Sequence, residues 1–413
     1  MNANIKIQDS NQNFWQLGSI LGTALGLPAM LIGGVLNQKY GFFSAVTSII
    51  IGNLILWAIG LSILSMTEGR NHAIANIKDY LGKSAAILNS MILIFAFIFW
   101  FSIQIDAPAQ IIAHLIKKNI IESRELELRI GAILGFICSL ISLGGIRAIR
   151  WVCTVGLPFI LIYQIYYISK CKVPIPLSWG NLSISGIATI VLLWLPGAIN
   201  LSTFYRHAQS KVDAFLGLSI MTLIHMLFQL FTVVISIDSP IKILLLFQEQ
   251  NSFFIFLTSI FLIITFLCIN LSNIYFASAG WDTIIPVKFQ SSKKYAIMGM
   301  LGTLIYTFLQ KNIYMNFLER IATNSLACLA VVLVISVILK IALNHRPRSL
   351  EKHINAFCWI ISCVISMVAL IFQPTEPINS LVYGVSSSFI IYLVILFIEE
   401  TTWALKKINS RKI

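Results

Sequence analysis

Residues 25–30 read LGLPAM, and residues 192–202 read LLWLPGAINLS. Each lies near the middle of an apolar run long enough to cross a bilayer core of about 30 Å. The first run carries Gly18, Gly22, Gly26, Pro28, Gly33 and Gly34; the second carries Pro196 and Gly197. Proline removes a backbone donor and glycine weakens a helix. In lipid the freed amides and carbonyls need partners, so broken backbone survives only where it faces protein or a watery cavity. Two interruptions five spans apart predict an inverted repeat with a binding site where the broken helices meet. For either break taken alone, ordinary Gly/Pro kinking is the alternative.

The rest of the chain fits that frame. Of 413 residues, 58% are hydrophobic and only 11% charged, and the mean hydropathy is +0.86. A soluble chain of this length needs far more charge to cover its surface. A transmembrane barrel would show segments of about ten residues in strict alternation, and these runs are continuous. The expectation is an all-α polytopic membrane protein with twelve spans, near 14–36, 43–66, 85–116, 130–146, 151–168, 186–204, 214–237, 253–276, 296–310, 321–342, 355–372 and 379–398. It divides into a tail (1–13), a ten-helix core (14–344, repeats 14–168 and 186–342), two additional spans (355–398) and a second tail (399–413). The first residues, MNANIKIQDSNQN, lack the basic start and cleavage site of a secretory signal.

The net charge of +13 would suggest nucleic acid in a soluble chain. Here its distribution decides. With the N-terminus inside, inner segments hold nineteen Lys and Arg and outer segments ten, so both termini are expected in the cytoplasm. Clusters such as HRPR at 345–348 read as topology signals; the expected partner is the lipid bilayer, not nucleic acid. Seven cysteines without paired spacing predict neither disulfides nor a metal centre. No histidine spacing suits a metal, and no dinucleotide, Walker or nucleophile-elbow motif occurs, so no cofactor and no enzymatic activity are expected.

Residues 99–110, FWFSIQIDAPAQ, sit inside the long third run. Trp100 and Gln104 are four apart and share a helical face. A planar ring beside a neutral amide suits a flat, uncharged heterocycle: the ring stacks, and the amide offers an acceptor and two donors. The alternative is a packing Trp and a Gln bonded to a neighbouring helix. Asp106 points elsewhere, about 9 Å further out along the helix. Before Ala107-Pro108 it reads either as the cap of a second helical piece or as a gate or proton-binding carboxylate.

Three further stretches carry a family resemblance. FFSAVTSIIIGNLILW (42–57), NLSTFYRHAQS (200–210, at Asn200, Phe204, Arg206 and Ala208) and LSNIYFASAG (271–280, at Asn273, Ala277 and Ser278) resemble spans 2, 6 and 8 of the nucleobase–cation symporters. That family includes cytosine permeases, hydantoin transporters and thiamine-precursor transporters. The resemblance implies a leucine-transporter-like core of two five-helix inverted repeats plus two C-terminal helices, with substrate held between aromatics of spans 3 and 6. It implies substrate roles for Trp100, Gln104, Trp194 and Asn273, and for the unwound backbone at Gly26 and Leu27. It implies cation-coordinating carbonyls at Gly22 and Leu25. The sequence departs from the family at Thr203 and Ser202, which replace an Asp and a Pro. It also departs at Ile269 and Asn270, which replace the hydroxyl pair completing the sodium site. Asn270 or Ser272 would have to compensate.

The expected function is a permease importing a small planar nitrogen heterocycle across a bacterial inner membrane. A nucleobase such as cytosine comes first and a hydroxymethylpyrimidine-type thiamine precursor second. An amino-acid or polyamine carrier of the same fold is the alternative within transport. The expected coupling ion is sodium or a proton, with weak sodium dependence because of Ile269. A membrane enzyme would need clustered acid–base groups at one depth, and a sensor an output domain; the sequence offers neither.

Overall fold

The computed structural model describes residues 12–24, 26–67, 73–116, 120–169, 181–236, 252–284, 292–309, 313–342, 349–373 and 377–410. Among them are fifteen α-helices and no strand, with one isolated backbone bridge between Gln12 and Ala208. Eight stretches are long and apolar enough to cross a bilayer, by length and composition. One of the eight, at 124–166, merges two expected spans, and the remaining three expected spans are the two broken ones and a shorter helix.

Expected span 1 is two helices, α1 (Phe14–Thr23) and α2 (Gly26–Tyr40). Asn13 caps α1, its side chain accepting from the Gln16 N–H. Pro28 is the third residue of α2, where a helix has no acceptor for the missing N–H. The break therefore falls before the proline, and Gly26 and Leu27 open α2. Leu25 lies outside the described residues.

Span 2 is α3 (Phe42–Met66), followed by a short α4 (Ala73–Leu81) and by span 3, α5 (Lys83–Ile116). Spans 4 and 5 are α6 (Ile120–Ile141) and α7 (Gly145–Ile168), turned through a 3₁₀ segment. The turn closes on Gly145 at φ 56, a left-handed conformation that a side chain would strain.

Span 6 is α8 (Ile184–Ala198) and α9 (Leu201–Tyr205). The expected break at Pro196-Gly197 is displaced: both residues lie inside α8, and the chain leaves the helix at Ile199 and Asn200. Pro196 cannot serve the carbonyl four residues back, yet the helix runs two residues beyond it before the Asn200 N–H turns to the Gly197 carbonyl. The remaining spans are α10 (Lys211–Ile235), α11 (Ser252–Ile284), α12 (Lys293–Leu309), α13 (Ile313–Ala342), α14 (Ser349–Phe372) and α15 (Pro377–Ser410). Helix α13 begins well before the expected 321, and α15 continues through most of the expected tail at 399–413.

The packing displays the inverted repeat directly. Exchange each of spans 1–5 for the span five later and the neighbours return. Span 1 packs on span 7 (α1 on α10), and span 6 on span 2 (α8 on α3). Span 1 packs on span 5, and span 6 on span 10; span 5 packs on span 8, and span 10 on span 3. The pairs 2 with 7, 3 with 8 and 4 with 9 map onto themselves. Not every relation repeats: span 1 packs on span 2 through α2 and α3, with no comparable packing of span 6 on span 7 among the described residues. Both pieces of span 1 touch span 8, whereas spans 6 and 3, α8 and α5, share no comparable packing among the described residues. Helices α14 and α15 pack on each other and on α13, outside this symmetry.

The glycines of span 1 do more than weaken a helix. A Cβ at Gly33 would lie 1.9 Å from the Gln229 carbonyl oxygen, and one at Gly22 would lie 2.6 Å from Ile224 Cδ1. Small residues here let span 7 approach span 1 backbone to backbone.

Candidate substrate site

Helices α5 and α8 do not pack closely on each other among the described residues, and each carries one of the two predicted tryptophans. Trp100, half-buried on α5, packs against the edge of Phe97 with ring centroids 4.9 Å apart at 87°. Its indole N–H is engaged. Nε1 donates to Glu319 Oε1 at 2.7 Å and to Thr323 Oγ1 at 3.1 Å, both on α13. Thr323 Oγ1 in turn donates to the same Glu319 oxygen at 2.6 Å. Trp100 is thus fastened by its nitrogen to span 10.

Gln104, one turn further along the same face, is half-buried, and its amide has no hydrogen-bond partner among the described residues. Pro108 lies inside α5. It removes the N–H that would bond the Gln104 carbonyl, so this one residue presents both an unpaired amide and a main-chain acceptor short of its helical donor.

Trp194 is half-buried on α8, and its indole N–H is buried without a partner among the described residues. Its ring lies beside the His225 imidazole of α10, centroids 5.1 Å apart at 34°. His225 Nε2 donates to the Leu21 carbonyl at 3.2 Å. That carbonyl belongs to the last turn of α1, where helical partners run out. His225 therefore joins the broken end of span 1 to the span 6 tryptophan. No ring contact joins Trp100 to Trp194 among the described residues.

An aromatic chain crosses the spans. Phe97 meets Phe276 of α11 at 4.7 Å, and Phe276 meets Phe204 of α9 at 4.9 Å. Phe204 stacks on Tyr275, whose hydroxyl accepts from Arg206 Nη2 at 2.6 Å and contacts His207 Nε2 at 2.5 Å. The chain from Gln12 pairs with His207 and Gln209 through backbone hydrogen bonds. One end of span 6 is thereby tied to span 8 and to the segment preceding α1. Asn200 Nδ2, Thr203 Oγ1 and Tyr205 Oη are buried without partners among the described residues.

The span 8 residues separate into two faces. Asn273 donates to Asn270 Oδ1 at 3.0 Å, and Asn270 Nδ2 has no partner among the described residues. Residues two apart on a helix point about 200° apart, so Asn270 and Ser272 offer their oxygens to different neighbours. Ser272 instead lies over Cys268, donating to its carbonyl at 3.1 Å. The Cys268 thiol faces Cys153 of span 5 and Thr23 of span 1, and a Cβ on Gly156 would lie 3.0 Å from its sulfur. Gly22, next to Thr23 in α1, is buried, and a Cβ there would meet Ile224 of span 7. The junction of spans 1 and 8 is lined by thiols as much as by oxygens. The six cysteines among the described residues are free.

Asp106 is half-buried and accepts from Gln110 Nε2 at 2.7 Å. Helix α5 passes unbroken through it. The helix-cap reading therefore fails, because neighbours tolerate an interior proline in a membrane helix. Sequence reading missed Glu319 and Thr323: with span 10 expected to start at 321, the carboxylate fell outside the expected span. The signal was the Glu-x-x-x-Thr spacing, which places both on one face of a helix extended by two turns.

The sequence matches no protein-family model and no curated protein sequence. Solved structures match the fold along nearly the whole chain. Mhp1, a nucleobase-cation-symport-1 family transporter in a closed conformation with bromovinylhydantoin bound, aligns with a TM-score of 0.65 at 14% identity, covering 94% of this chain and 93% of that one. A Na+-coupled sialic acid symporter in a substrate-bound outward-open state aligns with a TM-score of 0.69 at 13% identity, over 94% and 92%. A mutant form of the manganese transporter of Eremococcus coleocola aligns at 0.58 and 13%, over 96% and 95%. At these identities the likeness establishes the fold: this chain has the all-helical, inverted-repeat fold of secondary transporters such as Mhp1.

Proposed function

We propose that this protein is a secondary transporter that binds a small planar nitrogen heterocycle in the gap between spans 3 and 6. One observation carries the reading. Helices α5 and α8, which do not pack closely on each other among the described residues, each carry a half-buried tryptophan, and two of the polar groups beside those rings, the Gln104 amide and the Trp194 N–H, have no partner among the described residues. A flat ligand stacks on such rings, and unpaired buried groups discriminate sharply against analogues lacking the matching edge. The resemblance to nucleobase–cation symporters and the fold shared with Mhp1 point the same way. A nucleobase such as cytosine is the first candidate and a hydroxymethylpyrimidine the second.

Asn200, at the break of span 6, and the Asn270–Asn273 pair supply further polar groups along the path. The distribution of Lys and Arg supports both termini being cytoplasmic, and import across a bacterial inner membrane belongs to the same reading. The alternative, an amino-acid or polyamine carrier, draws on one observation: a carboxylate, Glu319, stands at the Trp100 wall. The test is ligand-induced thermal stabilisation and radiolabelled counterflow against a panel of heterocycles, amino acids and polyamines. Heterocycles alone should stabilise the protein and exchange; stabilisation only by amino acids or polyamines overturns the reading.

A further inference from the structure

Glu319 is the carboxylate that the transporter reading leaves without a task. It is half-buried on α13, a helix that packs on both α5 and α8. An ionisable group inside a membrane segment is costly and is kept where it faces a cavity or a partner. Here Oε1 receives two donors, the Trp100 N–H and the Thr323 hydroxyl. No basic side chain pairs with Glu319 among the described residues, and its second oxygen, Oε2, has no hydrogen-bond partner there. An ionised carboxylate accepts and never donates. The result is a fixed acceptor, held by two anchors beside the ring on which the ligand is read to stack.

We propose that Glu319 is a substrate-recognition group, selecting heterocycles that carry an exocyclic amino group or a protonated ring nitrogen. The proposal rests on the reading of the gap as a heterocycle site. A substrate lying against Trp100 and presenting an N–H to Oε2 gains a charge-assisted hydrogen bond. A substrate presenting a carbonyl there sets lone pairs against a charge. The neutral donors and acceptors of Gln104 do not make this distinction, because an amide can serve either edge. The division of labour is therefore specific: Gln104 tolerates either polarity, and Glu319 chooses one. Thr323 and Trp100 position the carboxylate.

The test is binding of matched pairs to the full-length protein in lipid nanodiscs. Cytosine is compared with uracil, and adenine with hypoxanthine; each pair differs in an amino group against a carbonyl. Wild type should bind the amino member at least tenfold more tightly. In Glu319→Gln the carbonyl oxygen can still accept from Trp100 and Thr323, while an N–H₂ replaces Oε2. That variant should lose the preference or invert it toward the carbonyl member. Thr323→Val removes one anchor but keeps Oε2, and should retain the preference. Should the Gln variant fail to fold, Glu319→Asp, which withdraws the carboxylate by one methylene, should narrow the preference several-fold. Equal binding of both members by wild type overturns the proposal, as does equal weakening of both members in the Gln and Asp variants. Failure of every heterocycle to bind overturns the reading of the gap itself, and the proposal with it.

Discussion

At the residue scale, the two tryptophans differ in a way their positions in the sequence do not reveal. The Trp100 nitrogen is bonded to span 10, and the Trp194 nitrogen has no partner among the described residues. Replacing Trp194 by Phe keeps a ring and removes that unpaired N–H. The variant loses part of the packing on His225 but no hydrogen bond, so its melting temperature should fall less than that of the Trp100→Phe variant. Replacing Trp100 by Phe takes a donor from a carboxylate and should cost about 1–3 kcal/mol of stability. Either tryptophan changed to Ala should weaken ligand binding by about 1 kcal/mol or more, read by thermal shift with and without ligand. Normal binding by both Ala variants would sink the stacking model. Gln104→Leu keeps the size and removes the polar edge, and its loss should be about tenfold or more. Trp100 and Gln104 were legible because helical spacing alone sets them on one face. Glu319 was not, because where a membrane helix begins depends on tertiary packing that hydropathy does not report.

At the element scale, two glycines that look alike in sequence have opposite roles. Gly33 sits where a Cβ would collide with the Gln229 carbonyl at 1.9 Å, whereas a Cβ on Gly197 would meet nothing within 4 Å. Gly33→Ala must push α2 away from α10 and should cost about 1–3 kcal/mol or more. Gly197→Ala should leave stability unchanged or slightly raised, since Ala is the better helix former and residue 197 lies inside α8. Parallel melting curves of the two variants decide the matter. Equal losses would show that the open space beside Gly197 is needed by the fold. The sequence marked both spans as interrupted but placed the second break at the proline. Proline reports a missing donor, not the point where the chain leaves the helix. That point is set by the Asn200 N–H turning back to Gly197, a choice that no local pattern encodes.

At the scale of the whole molecule, the pseudo-symmetry makes two junctions comparable: spans 1 and 8, and spans 6 and 3. The second is the more loosely packed among the described residues, and it is where we propose that substrate binds. The first is closed, and it is where the family resemblance sets a sodium ion. A symported monovalent cation gains about 2.3 kcal/mol per 100 mV of membrane potential, and a tenfold gradient adds about 1.4 kcal/mol. Either sodium or protons could therefore drive accumulation, and the ligands must choose. Hard cations want oxygen, while thiols suit soft metals. The closed junction offers the Thr23 hydroxyl, already donating to the Ser19 carbonyl at 2.7 Å, and the Ser272 hydroxyl, donating to Cys268. Between them stands the Cys268 thiol, facing Cys153 and Thr23, and the neighbouring Ile269 adds no oxygen from its side chain. We therefore expect weak dependence on sodium, with uptake driven by protons or proceeding by exchange. Proteoliposome uptake and counterflow, with sodium replaced by choline at fixed pH and potential, should fall less than about twofold, far from the tenfold that loss of about 1.4 kcal/mol would produce. Cys268→Ser would then place a hydroxyl at the junction and should raise the sodium dependence. Transport that drops to background without sodium in the unaltered protein would defeat the expectation and require a sodium site built from main-chain oxygens of span 1.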